Sequence, residues 1–358
     1  MRHGGDLTGA REGGVKSPLI DFSSNINPLG VPSPILDHLK AHLDEDLRVY
    51  PDPLCRALRR RLGAWLGCDP QELLCGCGVS HLLHALLPTL PEPVALPVPS
   101  FVDYERSLEG KKVTYLTLQA QEGFHLTASH GAQLKGCRSL VLGNPNNPTG
   151  LFYEPQQLEG MLGPWLEEGG VLAVDESFLG LTASRQSFAP LAKKRGWKVL
   201  TFNSLTKAFA LPGLRLGWAQ GEAPWLKSLS ERLFDWSVSG SALRVADALD
   251  ELEDYQRATA HWLASEGPAQ RSRLLSLGLT PHPTDTNFYL LTLPTAKEAQ
   301  RLADGLQERG MLVRRCHNFR GLDGRTLRFA LKDTSANEAL CHALKELCHV
   351  HPSRSTAQ

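Results

Sequence analysis

A chain of 358 residues with 42% hydrophobic content is longer than a single domain usually runs and can bury a sizeable core. Its 38 Lys+Arg balance 38 Asp+Glu, so no global field favours nucleic acid or an anionic membrane, and any anion recognition has to be local. No apolar run approaches the ~20 residues of a membrane span and none follows Met1, so the chain reads as cytoplasmic, and its eight cysteines, without a CxxC pair, read as reduced thiols.

Residues 1–20 are glycine-rich and weakly periodic, so they are expected to form an extended arm. Asp21-Phe22-Ser23-Ser24-Asn25-Ile26-Asn27-Pro28-Leu29-Gly30 is turn-rich and leads to a helix with Ser33 as N-cap, Pro34 at its first position and Ile35, Leu36, Leu39 and Leu43 on its apolar face. Tyr50-Pro51-Asp52-Pro53 breaks the chain before a second helix over 54–66, whose Arg56, Arg59, Arg60 and Arg61 suit a solvated face better than a nucleic-acid patch. Cys75-Gly76-Cys77-Gly78-Val79-Ser80 is a glycine turn ahead of helically spaced Leu82, Leu83, Leu86 and Leu87. Such a turn can offer backbone N–H groups and the positive end of a helix dipole to a phosphate, or it can be a plain strand-to-helix turn.

Strands are expected over 94–98, 113–118, 139–143 and 171–175, with a loop over 99–104 and a helix over 156–166. This alternation predicts an α/β fold with a mostly parallel sheet, whose ligands collect at the strand C-terminal ends. Over 201–218 the chain carries its densest chemistry. Val199, Leu200 and Phe202 end a buried strand, Pro212 and Gly213 break the chain, and an apolar run restarts at Leu214, which leaves Lys207 in a loop between two strands. Ser204 and Arg215 could there neutralise an anion while the Lys207 amine bonds to an aldehyde; alone, such a lysine would read as a surface residue.

Helices follow over 224–234 and 241–266, and from about 267 the character changes. Helix to 277, strand 288–293, helix 296–309, strands 312–315 and 326–331 and helix 337–348 outline a small α+β domain. The expected division is an N-terminal arm with part of the small domain over 1–45, a large domain over 46–265 and a small C-terminal domain over 266–358. Cys341, His342, Cys348, His349 and His351 could hold a metal, but Leu340, Leu344 and Leu347 favour an ordinary amphipathic helix, and no metal site is assigned.

Ser204-x-x-Lys207 with Arg215 eight residues on, preceded by Asn144-Pro145-Asn146-Asn147-Pro148-Thr149-Gly150 and Val174-Asp175-Glu176, resembles the fold-type I aminotransferase family, which uses pyridoxal 5'-phosphate. Within it the similarity is to the threonine-phosphate decarboxylases of cobalamin biosynthesis, with the histidinol-phosphate aminotransferases as near relatives, and it runs from His3-Gly4-Gly5 to 325–330. The resemblance implies that Lys207 binds the cofactor aldehyde, Asp175 pairs with the pyridine nitrogen, Asn147 hydrogen-bonds the phenolic oxygen, and Phe101 stacks on the ring, with Tyr104 as the alternative. Gly78, Val79, Ser80, Ser204 and Arg215 would hold the phosphate. Tyr50 would reach the cofactor of a neighbouring subunit, which implies a homodimer with shared sites. Arg314 and Arg328 would clamp the anionic groups of a small phosphorylated amino acid, with Asn147 beside them and His3 and Asn25 contributing from the arm.

Phe178 stands where aminotransferases of this type carry tyrosine. With Arg314-Arg315-Cys316-His317-Asn318-Phe319 and Gly321-Leu322-Asp323 it favours decarboxylation of L-threonine O-3-phosphate to (R)-1-aminopropan-2-yl phosphate over a histidinol-phosphate-type transamination. Two departures from the pattern stand out. Gly76-Cys77-Gly78 with His81 replaces the common Gly-Asn-Gly with a later Glu, and Trp236-Ser237-Val238-Ser239 ends in serine where asparagine is typical.

Overall fold

Five-residue apolar runs without polar alternation become strands buried on both faces. The computed structural model describes residues 4–15 and 18–349. In chain order its first eight strands are Ile20–Asp21 (β1), Leu73–Gly76 (β2), Val94–Val98 (β3), Val113–Thr117 (β4), Ser139–Gly143 (β5), Val171–Asp175 (β6), Val199–Asn203 (β7) and Gly217–Gln220 (β8). The main sheet has seven strands in the order β2-β8-β7-β6-β5-β3-β4. Pairing is parallel from β4 across to β7, whereas β8 runs antiparallel to both β7 and β2. Every residue of β3, β5 and β6 is buried. Side chains alternate between two cores: Leu140, Leu142, Leu172 and Val174 point into one, and Val141, Ala173, Leu200 and Phe202 into the other.

Phe288–Thr292 (β9), Met311–Leu312 (β10), Arg314–Arg315 (β11) and Thr326–Ala330 (β12) build the smaller part. There, β11-β12-β9 form an antiparallel sheet, and β1 pairs in parallel with β10, Ile20 opposite Met311. The N-terminal segment is thus tied to the C-terminal third of the chain.

Several elements differ from expectation. The arm is not wholly extended: Leu7–Glu12 is helical because the Asp6 carboxylate caps it by accepting from the Gly9 N–H. Ser33 is not the cap of its helix; Pro32 is, and the helix runs on to Arg48. The expected loop over 99–104 gives way from 102 to the helix Val102–Ser107. Strand 312–315 splits in two between Leu312 and Arg314. Glu253–Ser276 is one helix running through Gly267 and Pro268, since burial of Glu266, Gln270 and Leu274 overrides both breakers. The division expected at 265/266 falls inside it.

No described helix is long and apolar enough to cross a membrane. The eight cysteines are free thiols. Among the described residues no group of three His, Cys, Asp or Glu is placed to hold a metal. Cys341 faces Gln270, His342 faces Glu346, and His351 lies outside the described residues.

Candidate active site

The antiparallel course of β8 places its start, not its end, at the edge of the sheet where β2, β5, β6 and β7 finish. Gly76 pairs with Gly217, which sets Arg215 beside the turn that follows β2. Gly78 there has φ +80°, and a Cβ on it would come within 2.8 Å of the Arg215 guanidinium. At this edge a cavity of about 320 Å³ opens. Gly78, Val79, Ser80, Phe101, Asn147, Asp175, Ser204, Lys207, Arg215, Arg314, Arg328 and Asn25 all line it. Tyr50, expected at a neighbouring subunit's cofactor, is 84% exposed, its ring 5.3 Å from that of Trp236, and His3 lies outside the described residues.

Lys207 sits on the one-turn helix Leu205–Ala208, not in irregular loop. The turn forms because Ser204 caps it, accepting from the Thr206 N–H at 3.1 Å and donating to the Leu216 carbonyl at 2.7 Å. The Ser204 hydroxyl is thus tied to the backbone while its side chain lines the cavity, and Thr206, not foreseen, lines it beside Ser204. The Lys207 amine lies 5.9 Å from the centre of the Phe178 ring. Burial, then the charges of Arg328 and Arg215, push its pKa down to about 8, with Asp175 and Asp21 opposing.

Asp175 ends β6 fully satisfied. One oxygen accepts from the Ser177 N–H at 2.9 Å and hydroxyl at 2.5 Å, and the other from the Tyr104 hydroxyl at 2.7 Å. Burial raises its pKa against these hydrogen bonds and the Lys207 charge. The Tyr104 hydroxyl points at the carboxylate, and the Phe101 ring stands edge-on to that of Tyr104, their centres 5.6 Å apart. A serine two residues after a strand-end aspartate was the available sequence signal for the Ser177 contact; nothing local predicted Tyr104.

In the NPNNPTG run the asparagines divide their work. Asn144 exchanges hydrogen bonds with the Tyr153 backbone and Asn146 donates to the Pro99 carbonyl, so both hold the loop. Asn147 faces the cavity. Arg328 donates through Nη1 to its Oδ1 at 2.5 Å, and through Nη2 to the Ser23 carbonyl at 2.8 Å. This fixes the Asn147 amide with Nδ2 as the remaining donor. Arg314 and Arg328 are opposite each other in register on β11 and β12, and burial lowers the pKa of both, to about 10 for Arg328. The Arg328 Nε and the Asn25 Oδ1 are buried without a hydrogen-bond partner. Four cationic side chains, Lys207, Arg215, Arg314 and Arg328, face two carboxylates, Asp103 and Asp175. The cavity is built for anions.

Ser80 donates its hydroxyl to Asp103 at 2.9 Å, so toward an anion it contributes the first-turn amide it shares with Val79 at the start of the helix Val79–Leu86. His81 accepts from the Cys77 N–H at 3.2 Å, bracing the turn in place of the commoner residues. Ser239 caps the helix Gly240–Arg244, which gives the departure there a local backbone role. Gly78→Ala should disturb this turn directly. A β-carbon in this glycine-only region of positive φ and extended ψ costs about 1–3 kcal/mol, so the thermal midpoint is expected to fall by about 1–4 °C. With Arg215 displaced, inorganic phosphate should bind the cofactor-free protein about tenfold more weakly by calorimetry.

Comparison with known proteins gives one consistent picture. The profile described as aminotransferase class I and II matches residues 17–344. The threonine-phosphate decarboxylase of Salmonella typhimurium is 31% identical over 96% of this chain and 96% of its own. A histidinol-phosphate aminotransferase of Thiobacillus denitrificans is 30% identical over 92% of each. Among solved structures, the histidinol-phosphate aminotransferase of Clostridium acetobutylicum superposes with a TM-score of 0.85 at 26% identity, over 93% of this chain and 100% of that one.

Proposed function

The chain belongs to the aminotransferase class I and II family, and from that premise we propose that it decarboxylates L-threonine O-3-phosphate to (R)-1-aminopropan-2-yl phosphate, the activity that serves cobalamin biosynthesis. Its cofactor is pyridoxal 5'-phosphate. The cavity fits that group: Gly78 lacks the Cβ that would push Arg215 away, the buried Asp175 and the half-buried Lys207 amine share the cavity, and its cationic excess suits an anion.

When bound, the cofactor supplies an aldehyde for the amine and an electron sink for the pair released at Cα. Side chains and backbone amides of the protein would play the other parts. Asp175 would hold the pyridine nitrogen protonated, Asn147 Nδ2 would donate to the phenolic oxygen, and Phe101 would form the wall. The amides after Gly78 and the Arg215 guanidinium would take the phosphate. Arg314, Arg328 and Asn25 would hold the substrate's carboxylate and phosphate and so decide which bond at Cα is aligned for cleavage. Loss of CO₂ leaves Cα short of one proton, which Lys207 would return.

The observation that carries this reading is the pair Arg314 and Arg328, register partners that both face the cavity beside Lys207. They match a substrate with two anionic groups. Phe178 supports it, since its ring beside the Lys207 amine cannot hydrogen-bond an oxygen as a tyrosine would. We further propose a homodimer with shared sites. Tyr50 stands among exposed Leu47, Val49, Phe234 and Trp236, an apolar belt that a second copy would cover. On mixing the holoenzyme with threonine phosphate, CO₂ release without a keto acid is expected; conversion of the cofactor to its amine form instead would assign the chain to the aminotransferases.

A further inference from the structure

The loop that follows β11 is fastened to the main sheet by a three-way contact. Arg320 donates through Nε at 2.8 Å, and through Nη2, to one oxygen of Glu105. The Tyr115 hydroxyl donates to that same oxygen at 2.7 Å, and the Arg320 guanidinium lies 4.2 Å over the Tyr115 ring. Glu105 stands on the helix Val102–Ser107 and Tyr115 on β4, so the contact joins the two parts of the fold. Beside it, Gly321 at φ +84° lets the loop lie against Val98 and Pro99, where a Cβ would come within 3.3 Å of the Pro99 nitrogen.

The residues just before Arg320 act on Arg314. Asn318 accepts from Arg314 Nη2 at 2.8 Å, and the Phe319 ring, which lines the cavity, lies 5.1 Å from that guanidinium. We propose that Arg320, Glu105 and Tyr115 form a clasp that sets the position of Arg314 for the anionic end of the substrate. Arg320 is a positioning residue: it is absent from the cavity wall and acts through Asn318 and Phe319. The identity of the substrate rests on the proposed function; the clasp does not.

One exposed ion pair stabilises little, and these side chains are 51% and 34% exposed. Here, however, one carboxylate oxygen gathers two guanidinium N–H groups and a phenol while the aromatic face holds the guanidinium from below. The contact is strong enough to order a loop and weak enough to be screened by salt.

The test compares holoenzymes: wild type, Arg320→Ala, Arg320→Lys, Glu105→Gln and the Glu105→Gln/Arg320→Ala double variant. Arg320→Ala is expected to raise KM for threonine phosphate about tenfold, equivalent to about 1.4 kcal/mol, with kcat and cofactor absorbance within about twofold. Arg320→Lys should recover part of that affinity, and the double variant should be no worse than Arg320→Ala alone. Hydrogen exchange should quicken about tenfold at the amides of Phe319 and Leu322, which donate to the Cys316 and Phe319 carbonyls. Unchanged exchange at those amides, or a loss of kcat at constant KM, overturns the clasp. If the wild type does not turn over threonine phosphate, the proposed function fails, and the exchange measurement still decides the clasp.

Discussion

Replacing Lys207 with alanine is expected to give a folded protein that no longer links pyridoxal phosphate covalently and turns over substrate at least about 10³-fold more slowly. Among the described residues Lys207 is the lysine on the cavity wall, so no neighbouring amine can take its place. The substitution removes the amine proposed both to attack the aldehyde and to return a proton to Cα. Stability should not fall with activity. A half-buried amine whose pKa is pushed down to about 8 opposes folding wherever it must carry charge, and alanine relieves that opposition. A thermal midpoint equal to or above that of the wild type, with the visible absorbance of the linked cofactor gone, is the expected pair of readings. Activity close to wild type would take Lys207 out of the chemistry.

The lowered pKa gives the wild type a matching pH dependence. Only the neutral amine attacks an aldehyde, so cofactor capture by the cofactor-free protein should rise with pH and level off above about 8, not near the ordinary lysine value. The sign for stability follows from proton counts. Between about 8 and the ordinary lysine value of 10.5 the unfolded lysine holds a proton that the folded one has lost, so this residue's contribution favours folding increasingly as pH rises across that window.

Strands 94–98, 139–143 and 171–175 were legible to the residue because a strand buried on both faces leaves an unbroken apolar run bounded by turn residues. Lys207, Asp175 and Asn147 were legible as lining one cavity because each sits in a short motif at or just after a strand end, and Arg215 because it precedes β8, whose start the antiparallel course brings to the same edge. What escaped was long-range pairing. Tyr104 reaches Asp175 across 71 positions, and Asn147 finds Arg328 across 181; neither leaves a mark on local spacing. The cap made by Ser204 escaped for a different reason: a serine ahead of a lysine looks the same whether or not it caps a turn, and only the 2.7 Å bond to the Leu216 carbonyl reveals the backbone role this cavity-lining side chain also holds. Likewise Val102–Ser107 hid as a loop because six residues hold too few turns to show a helical period.

Asp175→Asn is expected to lower turnover about 10²–10³-fold while leaving the fold intact. The amide oxygen can go on accepting from the Ser177 N–H and hydroxyl, now at 2.9 and 2.5 Å, and its NH₂ can donate to the Tyr104 hydroxyl oxygen, which is free to reverse its role. The shape survives and the charge does not. Without a carboxylate the pyridine nitrogen has no buried anion to keep it protonated, and the electron sink weakens. A second reading moves the other way. Asp175 is one of the charges that raises the pKa of Lys207, so in the asparagine variant that pKa should drop further and cofactor capture should level off at lower pH, even as turnover collapses. Misfolding would slow both together. Tyr104→Phe separates charge from hydrogen bonding: it removes one donor to Asp175 but keeps the carboxylate, and a loss of about tenfold or less is expected. An asparagine variant as active as the wild type would remove Asp175 from the reaction and return it to the role of a satisfied strand-end acid.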